Sequence, residues 1–311
     1  MDPFILNDIP YRNKIKIILE FLLFLLRLPF FLGLIIEIIF FNDLIFRRLQ
    51  VLELHPKIYK VIRVIKLLHN FFIGRLLLLV LGYYNVQPLF NKTVQKNNLQ
   101  SYSFFCTRTS PLDIFTQITY FSPSFTHISI RKRLVKYQLI SYFQAIIDSF
   151  YIEKCCFREF DQGKDICELM EQIHKKRTGP LIIFWEGGVS NGQYLLKIDE
   201  ILIHEACKVN LYAKLNYHKV KYQYSNPSGI FSILVNRRLN LIGKSCNKML
   251  FNLLTNLNID LEMHFQQLPY YQLTHEKIKG MYNEFIVVNL KRLQSKKNWL
   301  DFKKKFVRII N

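Results

Sequence analysis

Apolar residues follow one another with few interruptions near the start of the chain, over Ile17–Phe41. Charges occur in this run only at Glu20, Arg27 and Glu37, and Pro29 divides it in two. A helix that spans a bilayer needs about 20 apolar residues, so each half is too short to span alone. The pattern predicts an N-terminal apolar helical hairpin that enters a membrane, with one tilted, kinked helix as the alternative.

Two other interpretations of this segment compete with membrane attachment. A secretory signal peptide would have a shorter apolar region and a small-residue cleavage site, and neither is present. A buried helical hairpin in a soluble core remains as the second alternative. Membrane attachment is favoured because half of the 311 residues are hydrophobic and the mean hydropathy is +0.09.

A second apolar block, over Lys57–Leu81, carries basic residues among its apolar ones. The apolar positions that recur at helical spacing are Ile58, Val61, Ile62, Ile65, Leu68, Phe72, Leu76 and Leu79. This pattern predicts a basic amphipathic helix suited to the plane of a membrane interface. A helix that faces the core with a solvated basic side fits the pattern equally well.

Shorter elements alternate after residue 88, which indicates an α/β fold. The predicted strands are Ser101–Thr107, Phe125–Ile130, Tyr151–Phe157, Leu181–Phe184 and Val209–Tyr217, and the predicted helices are Pro111–Phe121, Lys132–Ile147 and Lys164–Lys176. We expect a central, mostly parallel or mixed sheet flanked by helices. Residues 1–56 would form the membrane-associated hairpin, and residues 57–311 the α/β domain with a basic C-terminal tail.

The net charge of +20 comes from 43 Lys and Arg residues against 23 Asp and Glu residues. Nucleic acids and anionic lipids both attract such a protein. The high apolar content and the lack of zinc-finger or RNP-type motifs favour an anionic membrane surface and no nucleic acid. A basic surface protein with chance motifs remains an alternative. The six cysteines form no C-x-x-C pair, so neither a disulfide framework nor a metal site is expected.

The first motif, residues 108–113, has the features of a helix start. Ser110 is a good N-cap, Pro111 suits the first helical position, and Asp113 falls at the third, where a carboxylate favours the helix N-terminus. Capping alone explains each of these residues, so a helix start without chemistry stays open.

The second motif, residues 184–192, places a glycine turn at the end of a buried strand. Such a turn exposes backbone N–H groups and small polar side chains, which can receive the phosphate and glycerol of an acceptor. A generic strand-end turn explains Gly187 and Gly188 but not Glu186, Ser190 and Asn191 together.

Together the two motifs resemble those of the glycerol-phosphate and lysophospholipid acyltransferases. The first resembles His-x-x-x-x-Asp, with Asp113 in place and Arg108 at the histidine position. The second resembles Phe-Pro-Glu-Gly-Thr-x-Ser-Asn-Gly, and the interval between Asp113 and Glu186 is similar to the family's. The resemblance covers about residues 57–217. It implies substrate-binding roles for Glu186, Gly187, Gly188, Ser190 and Asn191, and for Arg158 as a ligand of the acceptor phosphate.

The resemblance also implies a reaction. In the family, the histidine takes the proton from an acceptor hydroxyl, which attacks the thioester of acyl-CoA, and the aspartate supports that histidine. Acyl-CoA is then a co-substrate, with no bound cofactor, and lysophosphatidic acid is the first acceptor expected. The product would be phosphatidic acid. The chain is similar to the fungal lysophosphatidic acid acyltransferases of endoplasmic reticulum and lipid droplets, in which the histidine can be replaced, and this implies a cytosolic active domain.

Arg108 leaves two hypotheses about activity. A guanidinium is not a general base near neutral pH, because its pKa is about 12 or higher. An acyltransferase would need another base, for which His127, His174, His204 and His218 are available. The alternative is a catalytically degenerate protein that binds lipids or serves as a scaffold at endoplasmic reticulum or lipid droplets.

Overall fold

The computed structural model of the chain describes residues 14–52, 55–90, 103–106, 111–131, 134–150, 160, 162–184, 194–196, 201–202, 217–224, 250–251, 253–255, 260–268 and 286–288. The helices are α1 (Lys14–Ile39), α2 (Arg47–Val51), α3 (Pro56–Val80), α4 (Pro111–Phe121), α5 (Tyr142–Phe150) and α6 (Ile166–Lys176), with a π-helical segment, Phe40–Phe46, between α1 and α2. The strands are β1 (Asn85–Phe90), β2 (Ser103–Cys106), β3 (Ser124–Arg131), β4 (Leu134–Ile140), β5 (Leu181–Phe184), β6 (Tyr194–Leu196), β7 (Tyr217–Tyr224), β8 (Asp260–Leu268) and β9 (Ile286–Val288).

The N-terminal apolar segment forms one continuous helix, so the predicted hairpin is wrong. α1 passes through Pro29 without a turn, and the helix continues through the π-helical segment into α2. Proline removes one backbone N–H donor and kinks a helix. Packing of Phe31 and Ile38 into the core holds the chain helical beyond Pro29. The stretch Ile18–Gln50 is long and apolar enough to cross a membrane, which is compatible with membrane association.

α1 also contacts a late part of the chain. Arg27 Nη1 donates to the carbonyl of Leu254 at 3.0 Å, 227 residues away in sequence. The rings of Phe24 and Phe251 lie 5.2 Å apart. The N-terminal helix is therefore packed on one side against protein.

The outer faces of α1 and α3 are apolar. Exposed there are Ile18, Leu19, Phe21, Leu22, Leu25, Leu26, Phe30, Leu32 and Ile36 of α1, and Ile58, Val61, Val64, Ile65, Leu68, Phe71, Phe72, Leu76 and Leu79 of α3. By contrast, Arg63 and Lys66 of α3 are buried. α3 confirms the predicted helix. The alternative of a core-facing helix with a solvated basic side does not fit, because these basic residues are buried and the apolar ones are exposed.

Seven strands form the main sheet, in the order β1-β8-β7-β2-β5-β3-β4. β7, β2, β5 and β3 run parallel as neighbours, as do β1 and β8, whereas β8 with β7 and β4 with β3 are antiparallel. β6 and β9 pair in a second, two-stranded sheet. The mixed sheet with helices confirms the predicted α/β class, and the division of the chain at residue 56 stays a prediction.

One predicted helix, Lys132–Ile147, is wrong. Its first half contains β4, which pairs with β3 in an antiparallel hairpin, and only the part from Tyr142 onward is helical, in α5. Within β4, the buried Val135 and Tyr137 alternate with more exposed neighbours, which is the two-residue period of a strand. The predictions for α4, α6, β2, β3 and β5 are confirmed. Those for Tyr151–Phe157 and for nearly all of Val209–Tyr217 lie outside the described residues.

The core lies between the sheet and the layer formed by α1, α3, α4 and α5. It includes Phe31, Leu77, Phe115, Phe125 and Ile182. α3 and α4 approach each other closely at Gly74, where a Cβ atom would lie 2.2 Å from Thr119 Oγ1. This close approach fixes the position of α4, the helix that begins at the first motif.

Candidate functional site

The strands that precede the two motifs in the chain end side by side at one edge of the sheet. β2 and β5 are parallel neighbours, and their last residues, Cys106 and Phe184, are paired. The chain leaves β2 toward the first motif and leaves β5 into the second. Adjacent strands lie about 4.8 Å apart, so both motifs start at neighbouring points of the carboxyl edge. In parallel sheets this edge is where ligands bind.

Asp113 stands in the first turn of α4 and is fully buried. Helical backbone N–H groups favour a negative charge at this position. Thr116 Oγ1 bonds back to the carbonyls of Leu112 and Asp113, which completes the turn. The other predicted site residues lie outside the described residues: Arg108, Arg158, Glu186, Gly187, Gly188, Ser190 and Asn191.

A buried histidine–carboxylate pair was not predicted from the sequence. His127 Nε2 of β3 lies 2.7 Å from Asp148 Oδ2 of α5, and the other oxygen of Asp148 accepts from Gln144 Nε2 at 2.7 Å. His127 is 6% exposed and Asp148 is 4% exposed. This pair has the chemistry of a histidine held in one tautomer by a carboxylate.

The histidine–carboxylate pair lies level with the carboxyl end of β5. Ser124 and Phe125 pair with Leu181 and Ile182 of β5. Continuing this register by two residues brings His127 level with the last residue of β5, where the second motif begins. His174 is exposed on α6 and His218 lies in β7, whereas His204 lies outside the described residues.

Ring contacts connect the histidine–carboxylate pair to α4. Phe150, two residues after Asp148, has its ring 6.3 Å from that of Phe115. Phe115 in turn follows Asp113 by two residues. α4 and α5 are therefore packed neighbours in the helical layer. The sequence signal, a histidine in a strand opposite a carboxylate in the next helix, was hidden because β4 was predicted as helix.

Metal chemistry finds no support in the described part of the chain, where no group of three or more His, Cys, Asp and Glu side chains is placed to hold an ion. The absence of a metal cofactor from the protein stays a prediction.

Comparisons with known proteins address what the chain is similar to. No protein-family model, no curated protein and no solved structure matches this chain.

Proposed function

We propose that this protein is a membrane-associated acyltransferase with the layered acyltransferase fold, which transfers a fatty acyl group from acyl-CoA to a lysophospholipid. Lysophosphatidic acid is the acceptor of first choice, and phosphatidic acid the product. The observation that carries the proposal is the pairing of Cys106 with Phe184, which starts both motifs at adjacent points of the carboxyl edge.

The reaction is an acyl transfer between an oxygen and a sulfur atom. The acceptor hydroxyl oxygen forms a bond to the thioester carbonyl carbon, the carbon–sulfur bond breaks, and the sulfur leaves as the coenzyme A thiol once protonated. A base removes the hydroxyl proton and returns it to the leaving sulfur. In this proposal Glu186 and the Gly187–Asn191 turn hold the acceptor, and Arg158 binds its phosphate.

The proposal assigns the base role to His127, because Arg108 cannot take it. Asp148 would hold the His127 tautomer and stabilise the imidazolium that forms, as a carboxylate does in a catalytic triad. The position of His127 level with the end of β5 supports this role. Asp113, in the first turn of α4, would supply a supporting negative charge at the same edge of the sheet.

The proposed location is the cytosolic face of the endoplasmic reticulum or of lipid droplets. α1 would anchor the chain, and the exposed apolar face of α3 would lie against the lipid. The charge of +20 suits an anionic surface, which also concentrates an anionic acceptor.

Acyl transfer is tested with purified full-length protein, labelled oleoyl-CoA and lysophosphatidic acid. We expect Asp113→Ala and Glu186→Ala to lower the rate at least about 100-fold, because each removes a charge from the site. Glu171→Ala, which removes an exposed carboxylate of α6, should retain the wild-type rate. Wild-type turnover no greater than that of the first two variants would sink the proposal.

The base assignment has its own test. His127→Gln should lower kcat about 10²- to 10⁴-fold and remove the acidic limb of the pH–rate profile, because a protonated imidazole cannot accept the hydroxyl proton. Asp148→Asn should lower it less, and His174→Gln should have no effect. Arg108→His supplies a base at the family position, so it should raise the rate of the His127→Gln protein. A folded His127→Gln variant with the wild-type rate and pH profile would contradict the assignment.

A lipid-binding protein without catalytic activity is the second candidate, and Arg108 is the observation in its favour. It predicts binding of lysophosphatidic acid without turnover. Appearance of activity on Arg108→His alone would then show that a catalytic site has lost only its base.

A further inference from the structure

A cavity of about 540 Å³ lies at the opposite edge of the sheet from the two motifs. Its wall includes Ser124 at the start of β3, Ile140 at the end of the antiparallel β4, and Thr178 just before β5. β3 and β5 run parallel to β2, so these positions mark the amino edge of the parallel strands. This amino-edge cavity is therefore separate from the site of the proposed acyl transfer.

The wall of the amino-edge cavity is cationic. Among the described residues that line it, four are basic and one is acidic: Arg47, Lys66, Lys164 and Lys176 against Asp43. Lys164 is paired with Glu168 at 3.0 Å. Both carboxylate oxygens of Asp43 accept backbone N–H groups, from Tyr142 and Phe143, each at 2.9 Å. The acidic residue is thus committed to the start of α5, and a positive excess remains.

Lys66 is the most deeply buried of the basic residues named above, and its exposed fraction is 3%. Its ammonium Nζ lies 5.0 Å from the centroid of the Tyr142 ring and lines the cavity. Burial, with Arg63 nearby, lowers the pKa of Lys66 to about 7, although Asp43 opposes the shift. A buried ammonium is costly, and Asp43, the acidic residue near Lys66, already accepts two backbone N–H groups. An anion in the cavity would therefore be stabilising.

The remaining lining residues suit a ligand that carries hydroxyl groups. Four glutamines line the cavity: Gln50, Gln138, Gln162 and Gln172. Their amides offer both donors and acceptors, which is what hydroxyl groups require. The volume falls within the range of about 300–1,000 Å³ that small-ligand sites occupy. From Lys66, the surrounding cations and the glutamines, we propose that the amino-edge cavity binds the phosphate monoester of a polyol.

Two sources can supply this chemistry, a soluble polyol phosphate and the headgroup of a phospholipid. The cavity wall includes Asn42 of the π-helical segment and Arg47 of α2, which lie in the last part of the long apolar stretch, after α1. A headgroup at the surface of a membrane that holds α1 would lie near this wall. The shared ligand chemistry is the glycerol phosphate group, so the two sources can be tested with matched probes.

The soluble probe is glycerol 3-phosphate, with glycerol as its uncharged control, titrated calorimetrically into the detergent-solubilised full chain. The lipid probe is a phosphatidylcholine vesicle with phosphatidic acid, compared with pure phosphatidylcholine. Lys66→Met should weaken binding at least about tenfold, the value of one charge-assisted contact. Lys60→Met removes an exposed lysine from the same helix and should bind as wild type.

The affinity should also depend on pH in a defined direction. A phosphate monoester is fully dianionic above about pH 7.5, so its own charge is constant from there. Lys66 loses its proton over this range, and affinity should fall about five- to tenfold between pH 7.5 and 8.5. Asp43, Arg63 and Tyr142 lie near Lys66, and the basic residues Arg47, Lys164 and Lys176 line the same cavity. Burial raises the pKa of Tyr142, so its hydroxyl stays neutral throughout.

Each outcome decides the proposal. Loss of glycerol 3-phosphate binding in Lys66→Met but not in Lys60→Met supports a soluble ligand. If Lys66→Met and Lys60→Met differ only in binding to vesicles that contain phosphatidic acid, and not in binding to glycerol 3-phosphate, a lipid headgroup is supported. Equal behaviour of the two variants with both probes overturns the site. If Lys66→Met does not fold, Lys176→Met and Gln172→Leu replace it under the same criterion. Binding is read without acyl transfer, so this result is independent of the proposed enzyme activity.

Discussion

Replacement of Arg63 by methionine is expected to lower the free energy of unfolding by about 3 kcal/mol. Arg63 is buried, and its guanidinium donates to the carbonyls of Phe121, Ser122 and Thr178, the Ser122 bond being 2.6 Å. Charge-assisted bonds of this kind contribute about 1.5–3 kcal/mol each. Burial lowers the Arg63 pKa from 12.5 to about 10, so removing the charge returns roughly 3–4 kcal/mol. The lost bonds outweigh that gain, because three carbonyls remain buried at the end of α4 and before β5.

Denaturant unfolding in detergent, followed by circular dichroism, measures this change. Arg48→Met provides the matched control, because Arg48 is an exposed arginine of α2. Its unfolding free energy should stay within about 0.5 kcal/mol of wild type. An Arg63→Met protein as stable as this control would mean that the three carbonyls do not depend on the guanidinium.

The close contact of α3 with α4 gives the second large effect. Alanine at Gly74 would place its Cβ 2.2 Å from Thr119 Oγ1 and 3.0 Å from Thr119 Cα. The second atom belongs to the backbone, so the two helices must separate. Overpacking of this kind costs about 1–3 kcal/mol, and leucine at Gly74 should cost more. Because α4 carries Asp113, we also expect slower acyl transfer from Gly74→Ala.

Gly33→Ala is the control for this prediction. Gly33 also lies inside a long helix, and a Cβ there meets nothing within 4 Å. Alanine in a helix interior is favoured over glycine by about 0.5–1 kcal/mol, so this variant should be as stable as wild type or more so. Thr119→Ala removes the nearest atom and should recover part of the loss in a Gly74→Ala background. Equal stability of Gly74→Ala and Gly33→Ala would contradict the contact.

Local signals in the sequence predicted several elements well. α4 begins at Pro111, and β5 lies between Gly179-Pro180 and the glycines of the second motif, so each boundary is set by neighbouring residues. The β3–β4 hairpin was missed because apolar residues in 134–140 fit a helix as well as a strand. Pairing with β3 decides between them, and that pairing is not visible in the segment itself.

The site depended more strongly on contacts between distant residues. The pairing of β2 with β5 follows from the strand order of the sheet, which the motifs do not encode. Lys66 and Arg63 were expected on the outside of an amphipathic helix. Arg63 is buried because its guanidinium donates to the carbonyls of Ser122 and Thr178. These acceptors lie 59 and 115 residues away in sequence. The periodicity of α3 carries no information about such distant partners. It therefore predicted Arg63 and Lys66 on the wrong side of the helix.

The contact between Arg27 and the Leu254 carbonyl sets a delay in the folding of the newly made chain. The two residues are separated by 227 positions. Synthesis at about 5–20 residues per second separates their appearance by roughly 10–45 s. The N-terminal helix is thus among the first elements made and among the last to gain its full set of neighbours. Until residue 254 is translated, the Arg27 guanidinium lacks this acceptor, and Tyr84, which is made much earlier, is the hydrogen-bond partner already at hand.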